Sequence, residues 1–143
     1  VDVKLVLGKF EVSEKALIDT GSPRTVFSRG AGIALDIDLP PAGSGARGTK
    51  TLRFLGDDWE AVACSVTLCL PPFSDLQWDA EVDFVLAEGL PYGLLGLEGF
   101  LDRWAVSFNA YLNYFVVEPV EEFHERTPPD VFQIWQREWP DYN

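Results

Sequence analysis

Residues 1–18 read VDVKLVLGKFEVSEKALI, two runs in which apolar and polar side chains alternate about a Gly8-Lys9 step. A period of two gathers the apolar side chains of each run on one face of a strand, and no helix can bury such a pattern on one stripe. A two-residue step containing glycine between two such runs predicts a β-hairpin. The same pattern returns along the chain. TKTLRFLG and WEAVACSVTLCL lie on either side of a turn at Gly56-Asp57-Asp58, AEVDFVLAE alternates again, and WAVSFNAYLNYFVVEP supplies one or two further strands. With 143 residues, 47% of them hydrophobic, the chain is long enough for one domain with a real core and too short for two. The expected class is mainly β.

Two helices are expected beside the strands. LEGFLDRW (97–104) predicts a short one. TPPDVFQIWQREW (127–139) predicts another, with Pro just inside its start and Val131, Ile134, Trp135 and Trp139 on one stripe. The domain is expected to span residues 1–119 and a helical extension residues 120–143. The segment LPPFSDLQWDA (70–80) reads as an excursion between strands, because Pro71-Pro72 interrupt the ladder.

Charge and residue usage narrow the function. Eleven Lys and Arg against 23 Asp and Glu leave a net charge of −12. That argues against nucleic acid or an anionic membrane surface as a partner, since both are bound by displacing counterions with positive charge. Cys64 and Cys69 are five residues apart, an odd offset that points them to opposite faces of a strand. They are expected as free thiols in a reducing compartment, hence a cytoplasmic location. With His124 the sole histidine, there is no zinc-ligand set and no histidine-based hydrolase constellation in a central position. Neither a metal nor a cofactor is expected. GSGARG (43–48) has the spacing of a dinucleotide-binding turn, but prolines precede it and a strand follows, where that turn needs a strand before and a helix after.

One stretch remains unusual. In ALIDTGSPRTVFS (16–28), an apolar run ends on a carboxylate, Asp19, followed by Thr20, Gly21 and Ser22. An Asp before a glycine ordinarily caps a turn. Held where a strand leaves the core, it is also partly desolvated, which suits it to proton transfer. Further on, YGLLGLEGFL (92–101) places Leu94, Leu95 and Gly96 in a second apolar-to-glycine step.

These two stretches, in this order and with a glycine-rich segment between them, resemble the active-site signature and second hallmark of the aspartic proteases. Because D-[ST]-G occurs once in a short chain, the resemblance is to the retropepsin-like, retroviral type, in which two identical chains each lend one aspartate; it covers residues 1–119. It implies a closed β-barrel or sandwich with a short helix after the second motif. It also implies a homodimer acting on an extended peptide or protein substrate, with Asp19 catalytic. Thr20, Gly21, Ser22, Leu95 and Gly96 would support the site. Thr20 would bond across the two-fold axis, Gly21 would contact the substrate backbone, and Ser22 would bond the outer carboxylate oxygen, favouring an acidic optimum. Ala42, Gly43, Ser44, Gly45, Ala46, Arg47 and Gly48 would form the flap over the substrate. Viral members carry acidic residues after the first motif and an arginine after the second. Here those places read Pro23-Arg24 and Leu97-Glu98, so any brace there has exchanged charges, Arg24 with Glu98. The alternative is a retropepsin-fold dimerisation or peptide-binding module with weak or no catalysis.

Overall fold

The computed structural model of the chain describes residues 1–54, 56–71 and 73–126, with the backbone alone for residues 73–75 and 124–126. The elements run β1 (Asp2–Leu7), β2 (Phe10–Ile18), β3 (Val26–Phe27), α1 (Arg29–Ala34), β4 (Thr49–Phe54) and β5 (Asp57–Leu70). They continue with β6 (Phe73–Val85), β7 (Gly93–Leu95), β8 (Trp104–Asn109), β9 (Tyr114–Pro119) and α2 (Val120–Arg126). The chain divides into two compact units, Val1–Phe100 and Leu101–Asn143.

In the first unit six strands close on themselves in the order β1-β2-β7-β3-β6-β5, with β5 returning to β1. Closure removes the free edges that an open sheet would expose. The alternation seen in the sequence is what fills the barrel. Val3 and Leu5 of β1, Val66 and Leu68 of β5, and Val82 and Phe84 of β6 are buried; Lys4 and Thr67 between them lie at the margin, while Asp83, between Val82 and Phe84, is buried as well. Phe27, Phe84 and Phe100 are the largest fully enclosed side chains. Each such side chain contributes about 1.5–3 kcal/mol by leaving water. β5, at 14 residues, is long enough to pair with β4 through its first half and with β1 near its end.

β7 is the element that organises the site. It runs parallel to β2, with Leu17 opposite Leu94 and Ile18 opposite Leu95, and antiparallel to β3 at Val26. Strands β2 and β3 are consecutive in the chain, yet β7 lies between them. The loop joining β2 to β3, residues 19–25, must therefore cross over the end of β7.

Two expectations are corrected. No helix forms over residues 97–104: Gly99 has φ +92°, outside the right-handed helical region, and Glu98 is drawn into a bridge with Arg24. The short helix instead follows the first motif, as α1. Ser28 caps it, its Oγ accepting Ala31 N–H at 3.1 Å and donating to Glu14 Oε2 at 2.8 Å. Nor is 70–80 an excursion: β6 starts at Phe73, opposite Leu70, so strand pairing resumes within the segment. The extension expected from residue 120 begins as α2, while the helix expected over 127–139 lies outside the described residues. Cys64 and Cys69 are both free thiols, the second buried.

Burial raises the Glu14 pKa above its usual value of 4.5, while the hydrogen bonds from Ser28 pull it down less strongly. A carboxyl whose folded pKa lies above its unfolded one contributes most stability below the unfolded pKa and loses it as pH rises through the folded pKa. Melting temperature is therefore expected to fall over that window in the wild-type chain. The fall should be smaller in Glu14→Gln, which keeps an acceptor for Ser28 but cannot ionise; equal slopes in thermal melts across pH would contradict this.

Candidate active site

Asp19 is the first residue past β2. Its own N–H donates to Leu95 O at 3.0 Å, so the loop is pinned to β7 at the point where it leaves the sheet. Gly21 N–H turns back to Asp19 Oδ1 at 2.9 Å, and Ser22 N–H donates to Asp19 O at 3.2 Å. The chain thus folds into a tight turn that presents a half-exposed carboxylate, oriented from one side by a backbone donor. Thr20 and Gly21 are exposed at the tip of this turn, and Ser22 is buried beneath it. A Cβ on Gly21 would lie 3.2 Å from Asp19 Oδ1, crowding the acceptor that Gly21 N–H uses.

The second motif supports the loop from below chiefly through its backbone. Leu97 N–H donates to Ser22 O at 2.9 Å, Glu98 N–H to Pro23 O at 3.1 Å and Thr25 N–H to Glu98 O at 2.9 Å. Gly96 N–H reaches the buried Thr25 Oγ1 at 3.2 Å. For these strands to lie so close, position 96 can carry no side chain: a Cβ there would stand 2.2 Å from Arg24 O and 2.7 Å from Ser22 O. Leu95 is wholly buried. The structure therefore brings Asp19, Thr20, Gly21, Ser22, Leu95 and Gly96 together in one locus.

Ser22 has a different partner from the one expected. Its Oγ donates to Arg24 O at 2.7 Å, which commits the single hydroxyl proton to the loop's own backbone. Ser22 shapes the turn that carries Asp19.

Arg24 is the charged anchor of the same loop. Its Nε donates to Asp83 Oδ2 at 2.9 Å and Nη2 to Glu81 Oε1 at 3.1 Å, and Nη1 pairs with Glu98. The exchanged pair expected from the sequence thus forms within one chain, where it ties the first motif to the second. Partial burial acts to lower the Arg24 pKa, but the bonds to Asp83, Glu81 and Glu98 and the charge of Asp83 outweigh it and raise it. Asp83 has no solvent exposure; Lys50 Nζ, 2.7 Å from its other oxygen, joins Arg24 in offsetting a charge that burial alone would not tolerate. Asp83 and Lys50 were not legible as site residues, because nothing in their local sequence marks them.

Residues Ala42–Gly48 are a mostly exposed loop entering β4, turned by Ser44 N–H to Pro41 O at 3.2 Å and tied to β5 by Gly43 N–H and Glu60. Thr49 pairs with Val62, so this loop adjoins the open end of the β4–β5 hairpin, whose turn lies between Phe54 and Asp57. Near that turn Phe54 and Trp59 stack, with ring centroids 5.5 Å apart and planes 13° from parallel. They pack with Val26, Val85, Leu90 and Leu94, and Tyr92 adjoins the cluster. Val26 and Leu94 belong to the strands flanking the Asp19 loop, so the hairpin is folded toward the site through its aromatic pair. The Trp59 Nε1–H is buried there with no acceptor among the described residues.

Comparison with protein-family models, with curated proteins and with solved structures finds no match to this chain. Among the described residues no group of three or more His, Cys, Asp or Glu side chains is placed to hold a metal ion, and no helix is long and apolar enough to cross a membrane.

Proposed function

We propose that the chain is a retropepsin-like aspartic endopeptidase that works as a homodimer, with one Asp19 from each copy. The observation that carries this is the Asp19 turn crossing over β7 and locked there by the side-chain-free Gly96, with the carboxylate presented at its outer end. A solvent-facing aspartate fixed this firmly, with Thr20 and Gly21 exposed beside it, is half of a two-carboxylate centre. Leu17 and Leu97, on the segments adjoining Asp19 and Gly96, are 47% and 49% exposed. Apolar surface around a lone carboxylate suits a face that a second copy covers.

Two carboxylates brought within a few ångströms share one proton, since like charges so close do not both ionise. The ionised member takes a proton from water as the water oxygen attacks the scissile carbonyl carbon. The protonated member gives its proton to the carbonyl oxygen. When the tetrahedral adduct collapses, the C–N bond breaks and the leaving nitrogen takes a proton from the dyad. The β4–β5 hairpin acts as the flap, and the substrate lies extended beneath it, held by main-chain hydrogen bonds.

The test is hydrolysis of a random peptide pool at acidic and neutral pH, with and without a transition-state analogue of the pepstatin type. Cleavage is expected, inhibited by the analogue and rising with the square of protein concentration when the protein is dilute. Peptide binding with no cleavage at any pH would make the chain a binding module instead. Because Ser22 is engaged with Arg24 O, Ser22→Ala should lose about 1 kcal/mol of stability and leave the pH–rate profile in place. A displaced profile would mean that the hydroxyl reaches the carboxylate after all.

A further inference from the structure

The β4–β5 hairpin and the frame that carries Asp19 meet in one charged contact. Strand β5 lies between β4 and β6, so a side chain of β4 must span about 10 Å to reach one on β6. Lys50 does so. It stands opposite Ala61 on β5, and Asp83 on β6 stands opposite Ala63. Residues opposite one another share a face, and so do positions two apart on one strand. Lys50, Ala61, Ala63 and Asp83 therefore lie on a single face, where the Lys50 stem crosses β5 over two methyl groups. Its Nζ ends 2.7 Å from Asp83 Oδ1. Arg53, three positions along β4 and hence on the other face, pairs with Asp58 inside the hairpin instead.

The two oxygens of Asp83 are held differently. Oδ2 takes a directed hydrogen bond from Arg24 Nε at 2.9 Å, and the Asp83 N–H donates to Thr25 O at 3.0 Å, so the residue belongs to the floor under the Asp19 loop. Oδ1 has no hydrogen-bond donor among the described residues: the Lys50 ammonium stands within ion-pair distance but off hydrogen-bonding angles. Charge attraction alone tolerates sliding and rotation that a directed bond does not. The exposures match this division. Asp83 has none and the Arg24 side chain 18%, while the Lys50 side chain keeps 36% and can return to water as the hairpin lifts. What it leaves behind is a buried carboxylate oxygen with no partner of its own, which a protein interior strongly disfavours. That penalty falls on the lifted hairpin only, and so biases the hairpin toward the floor.

We propose that Lys50 is the latch of the β4–β5 hairpin, a positioning residue whose charge on Asp83 holds the hairpin down over the Asp19 loop. The protease reading supplies only what the closed hairpin is for, which is to hold a peptide against Asp19. The carboxylate that receives Lys50 is also the one that grips Arg24, so the hairpin and the loop are coupled, and the coupling acts in both directions. Loss of the latch is then read as lost affinity, because fewer molecules hold the closed position that a ligand selects.

Hydrogen exchange read amide by amide on the full chain, with hydrolysis of the peptide pool in the same samples, tests the latch. Lys50→Met removes the charge and keeps an apolar stem, and Lys50→Arg keeps the charge. Arg53→Met removes an ion pair that stays within the hairpin. In Lys50→Met the amides of β4, and those of Leu97 and Glu98 that bond Ser22 O and Pro23 O, should exchange at least about tenfold faster, with the β1–β2 amides unchanged. Lys50→Arg should restore wild-type exchange, and Arg53→Met should leave Leu97 and Glu98 as they are. KM should rise at least about tenfold in Lys50→Met while kcat falls by no more than about threefold. Wild-type exchange at Leu97 and Glu98 in Lys50→Met overturns the latch. Faster exchange throughout β1–β2 does so as well, since Lys50 would then contribute to overall stability only. Should Lys50→Met not fold, Lys50→Gln, which is neutral but still able to donate to Oδ1, is read in the same way. The expected exchange pattern with no hydrolysis in any sample keeps the latch and sinks the protease. Hydrolysis with KM unchanged in Lys50→Met keeps the protease and sinks the latch.

Discussion

Asp19→Asn is expected to abolish peptide hydrolysis, lowering kcat/KM by at least about 10³-fold, while the fold is unchanged. General acid–base transfer by a positioned side chain is worth about 10²–10⁴-fold, and in a symmetric pair the substitution removes both members at once. An amide can accept the Gly21 N–H hydrogen bond through its oxygen, as Asp19 Oδ1 does now, so the turn keeps its shape. It cannot take a proton from water at any accessible pH. Circular dichroism and melting temperature should therefore match the wild type within a degree or two, and peptide binding in the low micromolar range or weaker should persist without turnover. Residual hydrolysis above about a tenth of wild type would place the reacting group elsewhere.

Gly96→Ala should be the most damaging small substitution outside the catalytic position. The added methyl carbon would sit 2.2 Å from Arg24 O, 2.6 Å from Arg24 C and 2.7 Å from Ser22 O. All three are backbone atoms, so no side-chain rotation relieves the overlap. Relief needs the Asp19 loop and the end of β7 to separate, which stretches Leu97 N–H to Ser22 O and Glu98 N–H to Pro23 O. Overpacking of a rigid site costs about 1–3 kcal/mol and more where backbone must move, so a loss of about 3 kcal/mol or more, some 10 °C in melting temperature, is expected. What chain survives folded should cleave poorly, because the same displacement tilts Asp19. A stable, fully active Gly96→Ala would mean that β7 does not underlie the loop as closely as described.

How much of this could be read from residue order varies by element, for physical reasons. The β1–β2 hairpin is legible because its alternation is unbroken and its turn holds glycine. The crossing of β7 between β2 and β3 is not: Gly93–Leu95 is three residues long, and nothing local tells that its partners lie more than 60 positions away in the chain. The resemblance carried by Asp19-Thr20-Gly21 and Leu94-Leu95-Gly96 implies only that Leu95 and Gly96 support the site. The glycine-rich string 42–48 lies before β4, while the β4–β5 hairpin turns between Phe54 and Asp57, where Gly56 has φ +84°. Helix α1 was missed because Gly30 and Gly32 suppress helical propensity, and tertiary contacts and the Ser28 cap decide it instead. Residues 97–104 show the converse, helix-forming leucine and aromatics overruled by Gly99 and by the pull of Arg24 on Glu98. The Arg24–Glu98 pair was foreseen as exchanged charges, but the buried Asp83 that holds Arg24 in place was not, because long-range ion pairs leave no local mark.

The most direct measurement is a mixing experiment between wild-type and Asp19→Asn chains, equilibrated at fixed total concentration before peptide hydrolysis is assayed. If each chain supplies one carboxylate of a shared centre, only wild-type pairs turn over, and an equal mixture retains about one quarter of the activity of the unmixed wild type. An equal mixture that retains one half would show that each chain carries a complete catalyst of its own, and the two-copy account would be wrong.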